Sequence, residues 1–502
     1  YPYKIIMSVY NEKNKNTYCP VPWREQMVDS NGEMRLCCIA QNIITNDDGT
    51  NVNISTDSLE KVWNNKYMQD VRTAMLDGVK IDACHNCYKH EEDSGYSNRL
   101  NELEDIQNIS AGVKRLKEYD HYTADFPSDI ITDLRPDIYD IRFGNLCNLK
   151  CISCSPNYSS EWYEEVRKSH NTMQIEFDGN KEQIDAEFKK LGDWGNFDHG
   201  TAWDDSEVNR IIVNNKSGTF EWVNNTKVFE NILEQILKSD TKRIYITGGE
   251  PTITQGNYKL LQALVDNNVA KNIQVWCNTN CTNANLKFYN LLAHFGDVNL
   301  MLSIDGVSDA FDYIRYPGKW TQIEKNIKKI VDFVNENKLK HWNVSLVPVI
   351  QFLNLFDLEN LIEYYYRMLL LSDYGPKQIR FMPITLDGPR YYRIQNAELS
   401  VRLEINERLQ SKYCSKEIIT DRVWPEIKSG EIDIYDTVSQ PLLEWLRILN
   451  LTLKQEANDE ERDNIPDYRK QILANHEFYK KYRKISHLET WFTDTYNKLT
   501  IS

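Results

Sequence analysis

Cys147-Asn148-Leu149-Lys150-Cys151-Ile152-Ser153-Cys154 places three thiols inside eight residues, directly after a β-branched, strand-like run from Ile138 to Phe143. Thiolates are soft ligands that select zinc, Cu(I) or the iron of iron–sulfur cores, and a CxxxCxxC loop can wrap one face of a small inorganic core. Three ligands leave one position open. A structural zinc site is normally closed by four ligands, and neither a CxxC partner nor a His at finger spacing follows closely. An iron–sulfur core with one iron free to bind something else fits better.

A second motif points the same way. Arg243-Ile244-Tyr245-Ile246-Thr247 reads as a buried strand and runs into Gly248-Gly249-Glu250-Pro251. Paired glycines let the backbone approach a ligand closely, and the following Glu or its neighbouring carbonyls can accept hydrogen bonds from a cationic amine. With CxxxCxxC after one strand and GGEP after the next, the chain resembles the radical S-adenosylmethionine (SAM) enzymes. The resemblance implies that Cys147, Cys151 and Cys154 hold a 4Fe–4S cluster whose open iron chelates SAM. It also implies that Gly248, Gly249, Glu250 and Pro251 receive the methionine amine. An electron from the cluster would then split SAM to a 5′-deoxyadenosyl radical. One departure stands out: the position before the third Cys, usually bulky and packed beside the adenine, is Ser153.

With 502 residues the chain has room for two or three domains. Lys and Arg number 59 against 74 Asp and Glu, a net charge of −15, which disfavours a broad nucleic-acid surface or an anionic-membrane partner. The 11 Cys are clustered, which argues for metal ligation in a reducing compartment, by default the cytoplasm, over a disulfide framework. The start of the chain has no run apolar enough for a signal segment, and no 18-residue apolar stretch occurs elsewhere.

Five Cys precede residue 100: Cys19, Cys37, Cys38, Cys84 and Cys87. Gly32 reads as the turn of a hairpin whose return arm, Glu33 to Leu36, brings the second thiol back towards the first. Leu59–Trp63 and Tyr67–Leu76 show helical spacing, so the CxxC of Cys84 and Cys87 follows a helix. This resembles the SPASM/twitch module, which implies a second, auxiliary 4Fe–4S cluster on Cys19, Cys37, Cys84 and Cys87, with Cys38 a spare or a substitute for Cys37. Asp93 stands where a full SPASM module would carry its next Cys, so one auxiliary cluster is implied. The module also precedes the radical domain instead of following it. A zinc ribbon satisfies four paired Cys equally well and stands as the alternative.

Residues 1–111 are thus expected to form the cluster module, 112–135 a polar linker and 136–394 the radical domain, with an aromatic-rich insertion at 157–225 as a lid or substrate wall. Residues 395–502 read as helical. Beyond the first two strands, Asn272–Cys277, Val298–Ser303, Trp342–Ile350 and Gln378–Met382 alternate with helical patterns. The fold class is therefore α/β, with reactive residues at the C-terminal strand ends, and the resemblance narrows it to an open six-stranded (β/α)6 partial TIM barrel.

At those strand ends the resemblance implies that Asn280, Ser303 and Arg315 contact SAM; a helix cap for Ser303 and a surface ion pair for Arg315 weigh equally. Cys281 is the best placed of the remaining thiols to donate a hydrogen atom, against the plainer reading of a small buried hydrophobe. The function expected is hydrogen abstraction from a substrate C–H, as an oxidative modification of a peptide. The alternative is dehydrogenation, epimerisation or rearrangement of a sugar, aminocyclitol or nucleotide. The resemblance adds an electron donor such as flavodoxin or ferredoxin.

Overall fold

The computed structural model describes residues 11–95, 97–103, 128–191, 219–373, 375, 378–413, 446, 450, 453–454, 457, 459–483 and 485–500. The chain divides into two compact units: Tyr1–Leu146, Thr219–Asn278 and Asn285–Asn299 in the first, and Cys147–Gly218, Thr279–Ala284 and Leu300–Ser502 in the second.

The first unit is built on strands β1 (Glu25–Val28), β2 (Met34–Arg35), β3 (Ile138–Ile141), β4 (Arg243–Ile246), β5 (Gln274–Thr279) and the opening half of β6 (Asp297–Leu302), in the order β2-β1-β3-β4-β5-β6. The expected hairpin is present: β1 and β2 pair antiparallel, and Gly32 makes the turn at φ +87°, a backbone region that side chains rarely adopt. Less expected, β1 also runs parallel to β3, with Glu25 opposite Ile138 and Val28 opposite Ile141. The hairpin thus extends the sheet. β3, β4 and β5 follow in parallel register.

Successive side chains of a strand point to opposite faces. Ile244, Ile246, Val275 and Cys277 are fully buried on one face, while Tyr245 and Trp276, opposite one another in register, remain partly accessible on the other. Helices Thr226–Lys238 and Gln255–Asp266 bury Val228, Ile232 and Ile236, and Leu260, Leu261 and Leu264, at the 3.6-residue spacing seen in the sequence.

The second unit holds the closing half of β6, then β7 (Trp342–Leu346), β8 (Val349–Ile350), β9 (Ile379–Phe381) and β10 (Ile384–Thr385). Its sheet order is β6-β7-β9, with β7 parallel to β9, and β8 pairs with β10 separately. The strand expected over 342–350 is therefore two strands, parted at Val347-Pro348. Proline offers no N–H to a ladder. The architecture is a mostly parallel α/β sheet of the open kind, with six strands (β3, β4, β5, β6, β7 and β9) separated by helices, as the sequence predicts.

The described part of the 157–225 insertion is helical. Ser160–Glu176 buries Trp162, Val166 and Met173, and Lys181–Phe188 buries Ile184 and Phe188. Trp162 meets Tyr479 at 6.3 Å and Phe188 meets Phe478 at 6.4 Å, both on the C-terminal helix Asp459–Arg483. Burying Val166 and Met173 contributes about 2 kcal/mol each. Leu399–Tyr413 and Glu489–Thr500 complete the helical C-terminal region. Trp194, Trp203, Cys414 and most of the stretches 112–127 and 441–453 lie outside the described residues. Among the described residues no helix is long and apolar enough to cross a membrane.

Candidate metal centres and ligand loop

In the first unit, four thiols lie within one another's electrostatic reach. Burial pushes Cys19 well up, and Cys84 and Cys87 raise it further. Cys37 is raised by burial first, then by Cys38, Glu25, Cys84 and Cys87, and Cys84 is pushed up to about 12 by burial and by Cys87. Backbone and side-chain hydrogen bonds hold the two ends of this set together. Gln41 N–H donates to the Ala83 carbonyl at 3.2 Å and Gln41 Nε2 to Asn86 Oδ1 at 2.9 Å, which ties the loop after Cys37 to the turn carrying Cys84. Arg99 donates to the Tyr18 carbonyl at 3.0 Å and pairs with Glu91.

Cys38 also lies within reach of this set, as the first charge that raises Cys37. It is solvent-accessible yet deeply set, and after burial its strongest perturbers are Glu25 and Asp140. Its neighbours are the polar residues of the sheet face that carries Tyr245, a group that sequence reasoning missed. Only the pairing of β1 with β3 brings Glu25 and Asp140 to one face. Tyr245 Oη donates to Asn278 Oδ1 at 3.1 Å, and the Arg243 guanidinium stacks 4.0 Å above the Trp276 ring.

The glycine loop follows β4 in the same unit. Gly248 (φ +78°) and Gly249 (φ +51°) both adopt left-handed backbone. A Cβ on Gly249 would fall 2.3 Å from the Leu146 carbonyl oxygen, and one on Gly248 would fall 2.8 Å from the Arg142 Cβ. Both positions therefore exclude any side chain. Glu250 is 1% exposed, and its Oε1 accepts from Thr252 N–H at 3.1 Å and Thr252 Oγ1 at 2.6 Å, capping the short turn Pro251–Ile253. The carboxylate thus shapes the loop, and the Glu250 carbonyl in turn accepts from Ile253 N–H at 3.2 Å and Thr254 Oγ1 at 3.0 Å.

The cysteine loop belongs to the second unit. Its backbone is held at both ends: Cys147 N–H donates to Ser160 Oγ at 3.2 Å, and Ser159 Oγ donates to the Leu149 carbonyl. Lys150 N–H meets the Tyr316 carbonyl at 2.7 Å and Ile152 N–H the Ile314 carbonyl at 2.9 Å. Cys151 therefore lies opposite Arg315. Burial raises Cys154 well above an ordinary thiol, and Cys151 and Cys147 raise it further. Lys150 Nζ pairs with Glu165 at 2.9 Å, and the same carboxylate takes Arg483 Nε at 2.9 Å.

Two of the strand-end residues turn to the thiols. Arg315 directs a guanidinium N–H at Cys151 Sγ, 3.9 Å away, and pairs through Nε with Asp305 Oδ2 at 2.8 Å. Asn280 Nδ2 donates to Asn148 Oδ1 at 3.0 Å and towards Cys147 Sγ at 3.8 Å. Ser303 N–H bonds to the Thr279 carbonyl at 2.9 Å. Cys281 sits at φ +60° with no exposed surface, its sulfur 3.7 Å from the Thr279 carbonyl.

The donor chemistry fits iron–sulfur cores: soft thiols alone, in one set of three and one of four. Among the described residues no three His, Cys, Asp or Glu converge on a point where a single metal ion would sit.

Two family models agree with this chemistry. A radical SAM superfamily model matches residues 208–365, a range that takes in the GGEP loop and begins C-terminal to the Cys147–Cys154 loop. An iron–sulfur cluster-binding domain model, SPASM, matches residues 19–88, which contain Cys19, Cys37, Cys84 and Cys87. No curated protein matches. Among solved structures, that of Streptococcus suis SuiB bound to S-adenosylmethionine is similar at 14% identity and a TM-score of 0.29, covering 75% of this chain and 66% of that one.

Proposed function

We propose that the chain is a radical SAM enzyme with an N-terminal SPASM domain, that it binds SAM at a cluster held by Cys147, Cys151 and Cys154, and that it oxidises a peptide substrate. Bound there, a 4Fe–4S cluster would supply the electron for reductive cleavage of SAM, and so the means of hydrogen abstraction from a substrate C–H. Gly248 and Gly249 keep the ligand loop free of side chains, Glu250 fixes its shape, and the adjacent carbonyls accept the methionine amine. Cys19, Cys37, Cys84 and Cys87 would hold an auxiliary cluster able to accept the surplus electron, and a flavodoxin or ferredoxin would serve as electron donor. Residues 1–111 and 136–394 are the corresponding functional regions.

The observation that supports this reading is that the thiols fall into two groups, Cys147, Cys151 and Cys154 in one unit and Cys19, Cys37, Cys38, Cys84 and Cys87 in the other, from which Cys19, Cys37, Cys84 and Cys87 are the proposed ligands. A closed set of four favours electron transfer over direct substrate ligation.

Iron and sulfide per chain after anaerobic reconstitution test it. About eight irons in the wild type, falling to about four in Cys84→Ala/Cys87→Ala, is the expected result. About four irons in both, with zinc in the wild type only, would make the N-terminal module structural. Reductive release of 5′-deoxyadenosine from SAM, lost in Cys151→Ala, tests the first cluster. Deuterium transfer into that product from labelled peptides, against labelled sugars, aminocyclitols and nucleotides, tests the substrate class.

A further inference from the structure

We infer that Arg315 sets the reduction potential of the cluster at Cys147, Cys151 and Cys154; this rests on the cluster assignment proposed above. The geometry that carries it is a short run of paired backbone. Lys150 N–H bonds to the Tyr316 carbonyl and Ile152 N–H to the Ile314 carbonyl, at 2.7 and 2.9 Å, so the residues between them, Cys151 and Arg315, are held opposite each other. The guanidinium, attached to a residue only 8% exposed, reaches to 3.9 Å from Cys151 Sγ.

Asp305 orients that guanidinium. Its Oδ2 lies in ion-pair contact 2.8 Å from Arg315 Nε, while its Oδ1 accepts from Val349 N–H at 2.8 Å, which ties the carboxylate to the backbone of Val349. Asn354 Nδ2 bonds to the Asp305 carbonyl at 2.8 Å and fixes the backbone beneath it. A second, neutral donor, Asn280 Nδ2, lies 3.8 Å from Cys147 Sγ.

Reduction of a thiolate-bound cluster adds negative charge that is shared with its sulfurs. A charge-assisted N–H···S bond stabilises the reduced form more than the oxidised one and raises the potential. Asp305 acts in the opposite sense, because its charge sits beside the same sulfur. The Arg315–Asp305 pair is thus two opposed contributions to the same sulfur, of which the arginine's is the larger. Arg315 acts here as a positioning and tuning residue; it does not touch the reacting bond.

The test is a potentiometric titration of the reconstituted full chain, followed by electron paramagnetic resonance and reading only the signal that changes when SAM is added. Arg315→Gln is expected to lower the reduced fraction at a fixed donor potential about tenfold, equivalent to about 59 mV for one electron. Arg315→Lys keeps the charge without the planar fork and should fall between it and the wild type. Asp305→Asn should move the midpoint the other way. Unchanged midpoints in these variants, or shifts of the same sign in Arg315→Gln and Asp305→Asn, would overturn the inference and leave the cluster assignment standing. If Arg315→Gln fails to fold, the Arg315→Lys and Asp305→Asn pair decides by the same opposition of sign. A wild type with no SAM-responsive signal would overturn the cluster assignment itself, and this inference with it.

Discussion

At the scale of single residues, Gly249 shows how a backbone requirement becomes a functional one. With a Cβ 2.3 Å from the Leu146 carbonyl oxygen, Gly249→Ala must displace backbone, in a left-handed conformation that already disfavours alanine. The expected cost is about 2 kcal/mol or more in a denaturant melt, with SAM affinity falling alongside. A variant that melts like the wild type and still binds SAM would refute it. Asp357 offers a second residue-scale test. Burial lifts its carboxyl to about 6, against hydrogen bonds from Asn360 and Val307 N–H that pull it down. The folded state therefore holds a proton that the unfolded chain releases near pH 4. Stability is greatest below that pH and falls as pH rises through 6, and relative to Asp357→Asn the wild type should lose about 2–3 kcal/mol between pH 4 and pH 8. Urea melts at both pH values measure this. The thiols and paired glycines were legible in the sequence because their chemistry resides in residue type and spacing. The opposition of Arg315 to Cys151 was not, because it depends on a pairing of backbone more than 150 residues apart.

At the scale of elements, the strands of the parallel sheet were legible from apolar runs that alternate with helical spacing. The place of the hairpin was not: nothing in Glu25–Val28 announces Ile138–Ile141 as its neighbour. The join is electrostatic as well as hydrogen-bonded. Asp29 lies 3.3 Å from Arg35 on β2 and 3.4 Å from Arg142 just past β3, all three buried. Asp29→Ala leaves two buried guanidinium groups short of an anion and should cost about 3 kcal/mol. The helix Ser160–Glu176 could have been read from Trp162, Val166, Ser169 and Met173, whose spacing is that of one helix face, but its aromatic and polar composition suggested a lid. Its Glu165 serves Lys150 of the cysteine loop and Arg483 of the C-terminal helix at once. Glu165→Ala strands both cations, Arg483 in nearly complete burial, so a loss of about 3–5 kcal/mol is expected. The variant should also retain less iron after desalting, because the loop loses its anchor.

At the scale of the whole molecule, the two thiol sets should differ in what their iron does for stability. Cys147, Cys151 and Cys154 lie within eight residues of one another, so a cluster there closes only a short loop that Ser159, Ser160, Tyr316 and Ile314 already hold. Cys19, Cys37, Cys84 and Cys87 span most of the N-terminal module, and a core bound to all four cross-links the hairpin entry, its return arm and the turn before His85–Ser94. The entropy removed from the unfolded chain grows with the loop closed, and ligand binding to the folded form adds directly to its stability. On the proposed assignment, loss of the N-terminal iron should therefore lower the melting temperature more than loss of the iron at Cys147, Cys151 and Cys154, and SAM cleavage is expected to be lost only with the latter. Anaerobic calorimetry of the reconstituted wild type, of Cys151→Ala and of Cys84→Ala/Cys87→Ala measures the difference. Equal shifts would mean that the N-terminal thiols are not joined through one core. A larger shift in Cys151→Ala would mean that the short loop, and not the N-terminal module, is where iron and folding are coupled.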